Sequence, residues 1–269
     1  EALNGLLRPK SIAVVGASNK EGKIGYTVVR NLLISQYRGT IYPINPTESV
    51  IQGLPAYPSV LDVPGTIDAA VITVPAKLVP AVTEECGKKG VKGLIIIASG
   101  FSEVGRHDLE QQVVDIAQRY GVRVLGPNIV GILSNSDLCN ASFAPFLPLA
   151  GKAALVSQSG ALLIAMDAST YTRRVGFDKM VSIGNMSDVD FADTVEWLDQ
   201  DEATACISLY IEGLRNGRAF MHAALKAAKP IVALKAGVSA HGAAAAASHT
   251  GSLAGSGKIY DAAFQQGGV

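Results

Sequence analysis

Short runs of apolar, largely β-branched residues recur through the first half of this chain, at 11–15, 40–44, 69–74, 93–98 and 123–125. Amphipathic stretches at 25–35, 77–88 and 108–120 separate them. Strands that are apolar on both faces and alternate with helices belong to a parallel sheet with helices on either side. Right-handed crossovers then wind the chain into a doubly wound α/β layer. The pattern pauses at Ala144-Pro145-Phe146-Leu147-Pro148-Leu149-Ala150-Gly151, where two prolines and a glycine predict an inter-domain linker. It resumes with strands predicted at 152–156, 179–182, 205–210 and 230–235, and helices at 161–171, 191–198, 218–227 and 257–266. The expected division is therefore 1–147 and 148–269, in keeping with two domains for 269 residues.

Composition narrows the function. Lys+Arg and Asp+Glu are equal at 23 each, so no basic footprint marks nucleic acid or an anionic membrane as a partner. The longest apolar runs are too short to span a bilayer, and the first ten residues have no apolar signal core. Cys86, Cys139 and Cys206 are far apart and lack metal-ligand spacing, so they read as thiols in a reducing, cytoplasmic setting. No metal-binding motif occurs.

In parallel α/β sheets, ligands bind where loops leave the carboxyl ends of the strands. Five such loops in the first half are rich in Gly, Ser, Pro and Asn: Gly16-Ala17-Ser18-Asn19, Asn45-Pro46, Pro75-Ala76, Ser99-Gly100-Phe101-Ser102 and Gly126-Pro127-Asn128. Singly they read as tight turns; together they predict a ligand crevice on one sheet edge. A nicotinamide dinucleotide fits it poorly. The G-x-G-x-x-G spacing is absent, and Asn45-Pro46 stands where an acidic residue would hold the ribose. Lys20 and Lys23 are either phosphate neutralisers or solvated lysines.

The second half offers four loops in the same topological position. Ser157-Gln158-Ser159-Gly160 precedes an apolar helix and reads as an anion cradle or an ordinary N-cap. Ser182-Ile183-Gly184-Asn185 and Ile211-Glu212-Gly213 follow the next two strands, and His249 follows the last. His249 lies in Ser248-His249-Thr250-Gly251-Ser252-Leu253-Ala254-Gly255, among small residues. A carboxylate such as Glu212 beside an imidazole would set its tautomer and basicity. His107 and His222 read as surface or packing residues, and His241 as a phosphate contact at most. Gly255-Ser256-Gly257-Lys258 lacks the P-loop spacing, and Ser159 falls short of a nucleophile elbow.

Taken together, these motifs resemble the α subunit of the NDP-forming acyl-CoA synthetases, the superfamily of succinyl-CoA synthetase, in wording closest to its ADP-forming acetyl-CoA synthetase branch. The resemblance runs from Leu7-Arg8-Pro9-Lys10-Ser11-Ile12-Ala13-Val14-Val15-Gly16-Ala17-Ser18 to the His249 segment. It implies an α/β chain with a Rossmann-like CoA-binding domain followed by a flavodoxin-like parallel-sheet domain that carries a phosphohistidine. The family reaction is acyl-CoA + NDP + phosphate ⇌ carboxylate + CoA + NTP.

On this resemblance His249 takes the phosphoryl group and Glu212 steadies it. Ser159, Gly160, Gly251 and Ser252 hold phosphate. Gly16, Ala17, Ser18, Lys23, Gly25, Asn45, Val74, Pro75, Ser99, Gly100 and Phe101 face CoA. Asn128 and Gln158 lie near the thioester and acyl group. Ile129 departs from the Cys or Ser that usually follows Gly-Pro-Asn. Cofactors and partners implied are coenzyme A, acyl-CoA, a carboxylic acid and phosphate. ATP/ADP and Mg²⁺ would be held by an ATP-grasp β subunit or fused domain outside these 269 residues. The competing reading is a non-catalytic CoA-sensing domain of an acyltransferase, against which the presence of His249 argues.

Overall fold

The computed structural model describes residues 2–237 and 257–269. It contains two main sheets. In the first, β1 (Ser11–Val15) lies between β2 (Thr40–Ile44) and β5 (Ala69–Ile72), followed outward by β6 (Gly93–Ile96) and β7 (Arg123–Leu125). All four pairings are parallel, with Val15 level with Ile44 on one side and Ile72 on the other. A small hairpin, β3 (Val50–Ile51) with β4 (Leu54–Pro55), branches off after β2.

The burial of β1 explains why its sequence lacks alternation. Ile12 and Val14 face the layer containing α2 (Ile24–Ile34) and the short α1 (Ala2–Leu7). Ala13 and Val15 face the opposite layer, formed by α3 (Val79–Lys89) and α4 (His107–Arg119). A strand covered on both faces needs apolar residues at every position.

The parallel part of the second sheet comprises β10 (Ala153–Ser157), β11 (Phe177–Ser182), β12 (Cys206–Ile211) and β13 (Ile231–Lys235). Its first strand, β10, lies between β11 and β12, with β13 outside β12. This 2-1-3-4 order is the flavodoxin-like arrangement expected from the sequence. α5 (Gly160–Arg173) covers one face, while α6 (Phe191–Gln200) and α7 (Gly217–Lys226) cover the other, with α8 (Gly257–Gly267) against α7.

β8 (Gly131–Ser134) and β9 (Cys139–Ser142) form a hairpin that pairs antiparallel with β11 and completes the sheet order β13-β12-β10-β11-β8-β9. The two sheets thus part at 126–130, earlier than the expected division at 147/148. The segment expected to be a linker instead runs along the second domain. Leu149 accepts from Phe177 N and donates its own N–H to Thr170, while Pro148 O accepts from the Asn135 amide. The hairpin is also fastened to the first domain, because the buried Asn31 of α2 donates to Ser142 O and Ala144 O at 2.9 and 2.7 Å. One apolar cluster consequently runs from Ile12 and Val28 through Ile132 and Ala141 to Val156 and Leu209.

Candidate active site

Each sheet has a topological switch point at its first parallel strand. β1 is flanked by β2 and β5, and β10 by β11 and β12. The loops leaving these two strands are Gly16-Ala17-Ser18 and Ser157-Gln158-Ser159-Gly160, where such sheets form ligand crevices. Between the two domains lies a cavity of about 800 Å³, whose walls include Ser99, Ser102 and Glu103 of the first domain and Gln158, Ser159, Gly160 and Glu212 of the second. The chain crosses between the domains through its wall, at Asn128, Ile129 and Val130.

On the first side, Gly16 has φ +90°, and a Cβ on Gly25 would lie 1.9 Å from the Gly16 carbonyl oxygen. Only glycine permits this approach of the α2 start to the turn after β1. The Asn45 amide stabilises that turn. Its Nδ2 donates to Ala17 O at 2.9 Å, and its Oδ1 accepts from Thr47 N and Glu48 N. Asn45 therefore ties the β1 loop to the β2 loop. Lys23 is exposed at the N-cap of α2 without a capping side chain. Val74 is half-buried against the apolar core and Pro75 is exposed.

The loop after β6 is internally satisfied. Glu103 accepts from Gly100 N and Phe101 N, and the Phe101 ring is fully buried in the core. Burial raises the Glu103 carboxyl, but the Gly100 N–H and the Asn185 amide more than offset this and hold it below the ordinary carboxylate value. Ser99 and Glu103 line the cavity.

On the second side, Ser159 is the N-cap of α5 and accepts from Leu162 N at 3.3 Å, so its capping role is real. The same helix start opens into the cavity at Ser159, Gly160 and Ala161. Gln158 donates its backbone N–H to Tyr210 O, and its Oε1 accepts from Glu212 N and Gly213 N at 2.9 and 3.0 Å. This clamp fixes the backbone that presents Glu212. Lys235 Nζ donates to Glu212 O at 2.9 Å and sits 4.6 Å above the Tyr260 ring. Burial lowers the Lys235 ammonium pKa, with the Glu212 charge opposing. His249, Gly251 and Ser252, like His241, lie outside the described residues.

Comparison with known proteins gives this geometry a family. Residues 10–135 match the family described as "CoA binding domain", and residues 150–269 match "Succinyl-CoA ligase like flavodoxin domain". The chain is 51% identical over 276 residues to the acetate–CoA ligase (ADP-forming) I subunit alpha of Pyrococcus furiosus, covering 100% of this chain and 60% of that protein. It is 44% identical to the 4-hydroxybutyrate–CoA ligase (ADP-forming) of Nitrosopumilus maritimus, covering 98% of this chain and 39% of that protein. A solved dinucleotide-forming acetyl-coenzyme A synthetase 1 from Ca. Korarchaeum cryptofilum, in complex with phosphate and ADP, superposes with a TM-score of 0.96 at 46% identity, over 100% of this chain and 59% of that one.

The chain carries these two domains, a CoA-binding domain followed by a succinyl-CoA-ligase-like flavodoxin domain. It spans 60% or less of the synthetase relatives named here. The fold extends to more distant proteins, such as a Methanothrix soehngenii ATP citrate lyase at 19% identity and a TM-score of 0.68. Among the described residues, no helix is long and apolar enough to cross a membrane.

The structure also assembles residues to which sequence reasoning assigned no role. Asn185, on the loop after β11, donates its amide to Ser102 Oγ, Glu103 Oε2 and Glu110 Oε2 at 3.0, 2.7 and 2.8 Å. It joins the two domains across the cavity. Arg215 donates to Met186 O and lines the same space. The Ile-Gly-Asn motif is visible in the sequence, but its partners come from a different sheet.

Proposed function

We propose that this chain binds CoA or acyl-CoA in its first domain and carries phosphate on His249 in its second, as part of an NDP-forming acyl-CoA synthetase. The observation that carries this reading is one cavity walled by Ser99, Ser102 and Glu103 after β6 and by Gln158, Ser159 and Gly160 after β10, with Gln158 clamping the backbone that bears Glu212. The close glycine turn at Gly16 and Gly25 gives CoA a backbone surface without side chains. Lys23, Asn45, Val74, Pro75 and the 99–101 loop border it, Asn45 by holding the turn and Phe101 by anchoring its loop in the core.

The chemistry follows in three balanced steps. Phosphate attacks the thioester carbonyl, the C–S bond breaks, and CoA leaves as the thiol. An imidazole nitrogen of His249 then attacks phosphorus of the acyl phosphate, the P–O bond to the acyl oxygen breaks, and the carboxylate leaves. The phosphoryl group passes finally to an NDP held with Mg²⁺ by an ATP-grasp subunit or domain. In this reading Ser159 and Gly160 place helix N–H groups toward phosphate, with Gly251 and Ser252 beside the histidine. Glu212 supports the imidazole. Because the Gln158 oxygen faces the 212–213 loop, its NH₂ is the end presented to the thioester, alongside Asn128. A cytoplasmic setting suits this chemistry.

The test is phosphorylation of the chain by labelled ATP and Mg²⁺ in the presence of its ATP-grasp partner. Acid-labile, base-stable label that disappears in His249→Ala is expected. Absence of label in the reconstituted complex overturns the enzymatic reading, and CoA binding without label would mark a CoA sensor.

A further inference from the structure

At the end of β13 stands a lysine whose bonds converge on the loop that bears Glu212. Lys235 Nζ donates to Glu212 O at 2.9 Å and to Ala236 O, and it lies 4.6 Å from the centre of the Tyr260 ring. The Tyr260 hydroxyl accepts from Leu214 N at 3.3 Å. Gln158 holds Glu212 N and Gly213 N, and Ala236 N donates to Ile211 O at 2.8 Å. The backbone from Ile211 O to Leu214 N is thus gripped from the loop after β10, from β13 and from α8. Glu212, Gly213, Leu214 and Tyr260 line the cavity, and Lys235 stands half-buried behind them. Burial disfavours its ammonium. Two carbonyl oxygens and an aromatic face match the three donors of that ammonium and offset the penalty.

We propose that Lys235, paired with Tyr260, is a positioning residue for phosphoryl transfer, fixing the backbone from which the Glu212 carboxylate supports the His249 imidazole. This rests on the reading of His249 as the phosphoryl carrier and of Glu212 as its support. Gln158 and Lys235 bond the N–H and the C=O of one residue, Glu212, from the two strands that flank β12. A residue held through both backbone groups keeps its φ and ψ, so its side chain leaves the wall in one direction. Catalysis is sensitive to such placement, a shift of about 1 Å costing up to a hundredfold in rate. Chain order adds a second use for the same contact. Lys235 closes β13 and Tyr260 stands on the first turn of α8, so the pair joins the chain on either side of the sequence segment that includes His249. A neutral side chain of similar length would pack in the same place and leave Glu212 O and Ala236 O without this donor.

The experiment measures initial rates of His249 phosphorylation over a range of labelled ATP with Mg²⁺, for the chain assembled with its ATP-grasp partner. Lys235→Met is expected to lower the rate at saturating ATP by about tenfold to a hundredfold, with the KM for ATP and the affinity for CoA unchanged. Lys235→Arg keeps the charge and the donors, and is expected to recover most of the rate. In a Glu212→Ala background no carboxylate is left to position, so Lys235→Met is expected to add no further loss. A parental rate in Lys235→Met overturns the proposal. So does a loss carried by KM, a Lys235→Arg variant no faster than Lys235→Met, or a loss of equal factor with and without Glu212. Where Lys235→Met fails to fold, Tyr260→Leu removes the ring and the hydroxyl while leaving the lysine, and the same cycle with Glu212→Ala decides in the same way. Absence of label from the parent complex, seen before any variant is compared, overturns the phosphohistidine reading and the positioning role with it.

Discussion

Asp167 sits on the buried face of α5, fully excluded from solvent, and among the described residues neither carboxyl oxygen has a hydrogen-bond partner. Burial raises its carboxyl from the ordinary 3.8 to about 6. The folded state therefore holds a proton that the unfolded chain releases, and stability falls as pH rises from 3.8 through about 6. A carboxyl raised this far costs the fold about 3 kcal/mol at neutral pH, with about half of that already lost at pH 5. Asp167→Asn removes the titration while keeping the side chain's size. Urea unfolding of both proteins, followed on the second-domain transition, isolates this effect from other carboxylates as the difference between them. The variant is expected to gain about 1.5 kcal/mol relative to the parent on going from pH 5 to pH 7.5. A difference that stays flat with pH, or that turns against the variant at pH 7.5, would refute the assignment of an unpaired buried carboxylate.

Gln158→Ala removes the acceptor for two backbone N–H groups and should cost about 1–3 kcal/mol of stability, together with loss of histidine phosphorylation. Gln158→Glu, which retains an acceptor, should recover the stability in thermal unfolding. Gly25→Ala puts a methyl against the Gly16 carbonyl oxygen, so CoA affinity measured by titration should fall at least tenfold. The buried Lys179 pairs with Asp178 and, at 3.0 Å, with Asp201. Lys179→Met removes the ammonium between these carboxylates, leaving Asp201 with Arg8 and Thr204 and Asp178 with Ser136, and should cost about 3 kcal/mol in urea unfolding. Burial raises Asp201, but Thr204 and Lys179 together hold it below 3.8. Its contribution is thus present above pH 3.8 and lost as acid titrates it; in Lys179→Met, fluorescence-monitored acid unfolding should begin at higher pH.

The parallel strands are legible because burial on both faces writes them as unbroken apolar runs, as in Ser11–Val15. The inserted hairpin is not legible. Asn140 and Ser142 are buried polar residues whose bonding, to each other and to Asn31 and Ala144, exists only after folding. Convergence of the loops on one edge follows from parallel order alone. The work done by Asn45, Gln158 and Asn185 does not, because each amide reaches atoms on a loop far away in sequence. Sequence reasoning takes Asn45 and Gln158 as ligand contacts, and the structure adds that their oxygens bond protein N–H groups on neighbouring loops.

The hairpin at 131–142 has a consequence for how such a chain can be inherited. It is encoded with the first sheet, but its partner strand, Phe177–Ser182, emerges from the ribosome well after it. A gene cut at 147/148 would give one product bearing two ownerless strands and another with a sheet missing its edge. Shuffling one half onto a new protein therefore works only when the hairpin travels with the second half. Even then the first half loses the surface on which Asn31 rests.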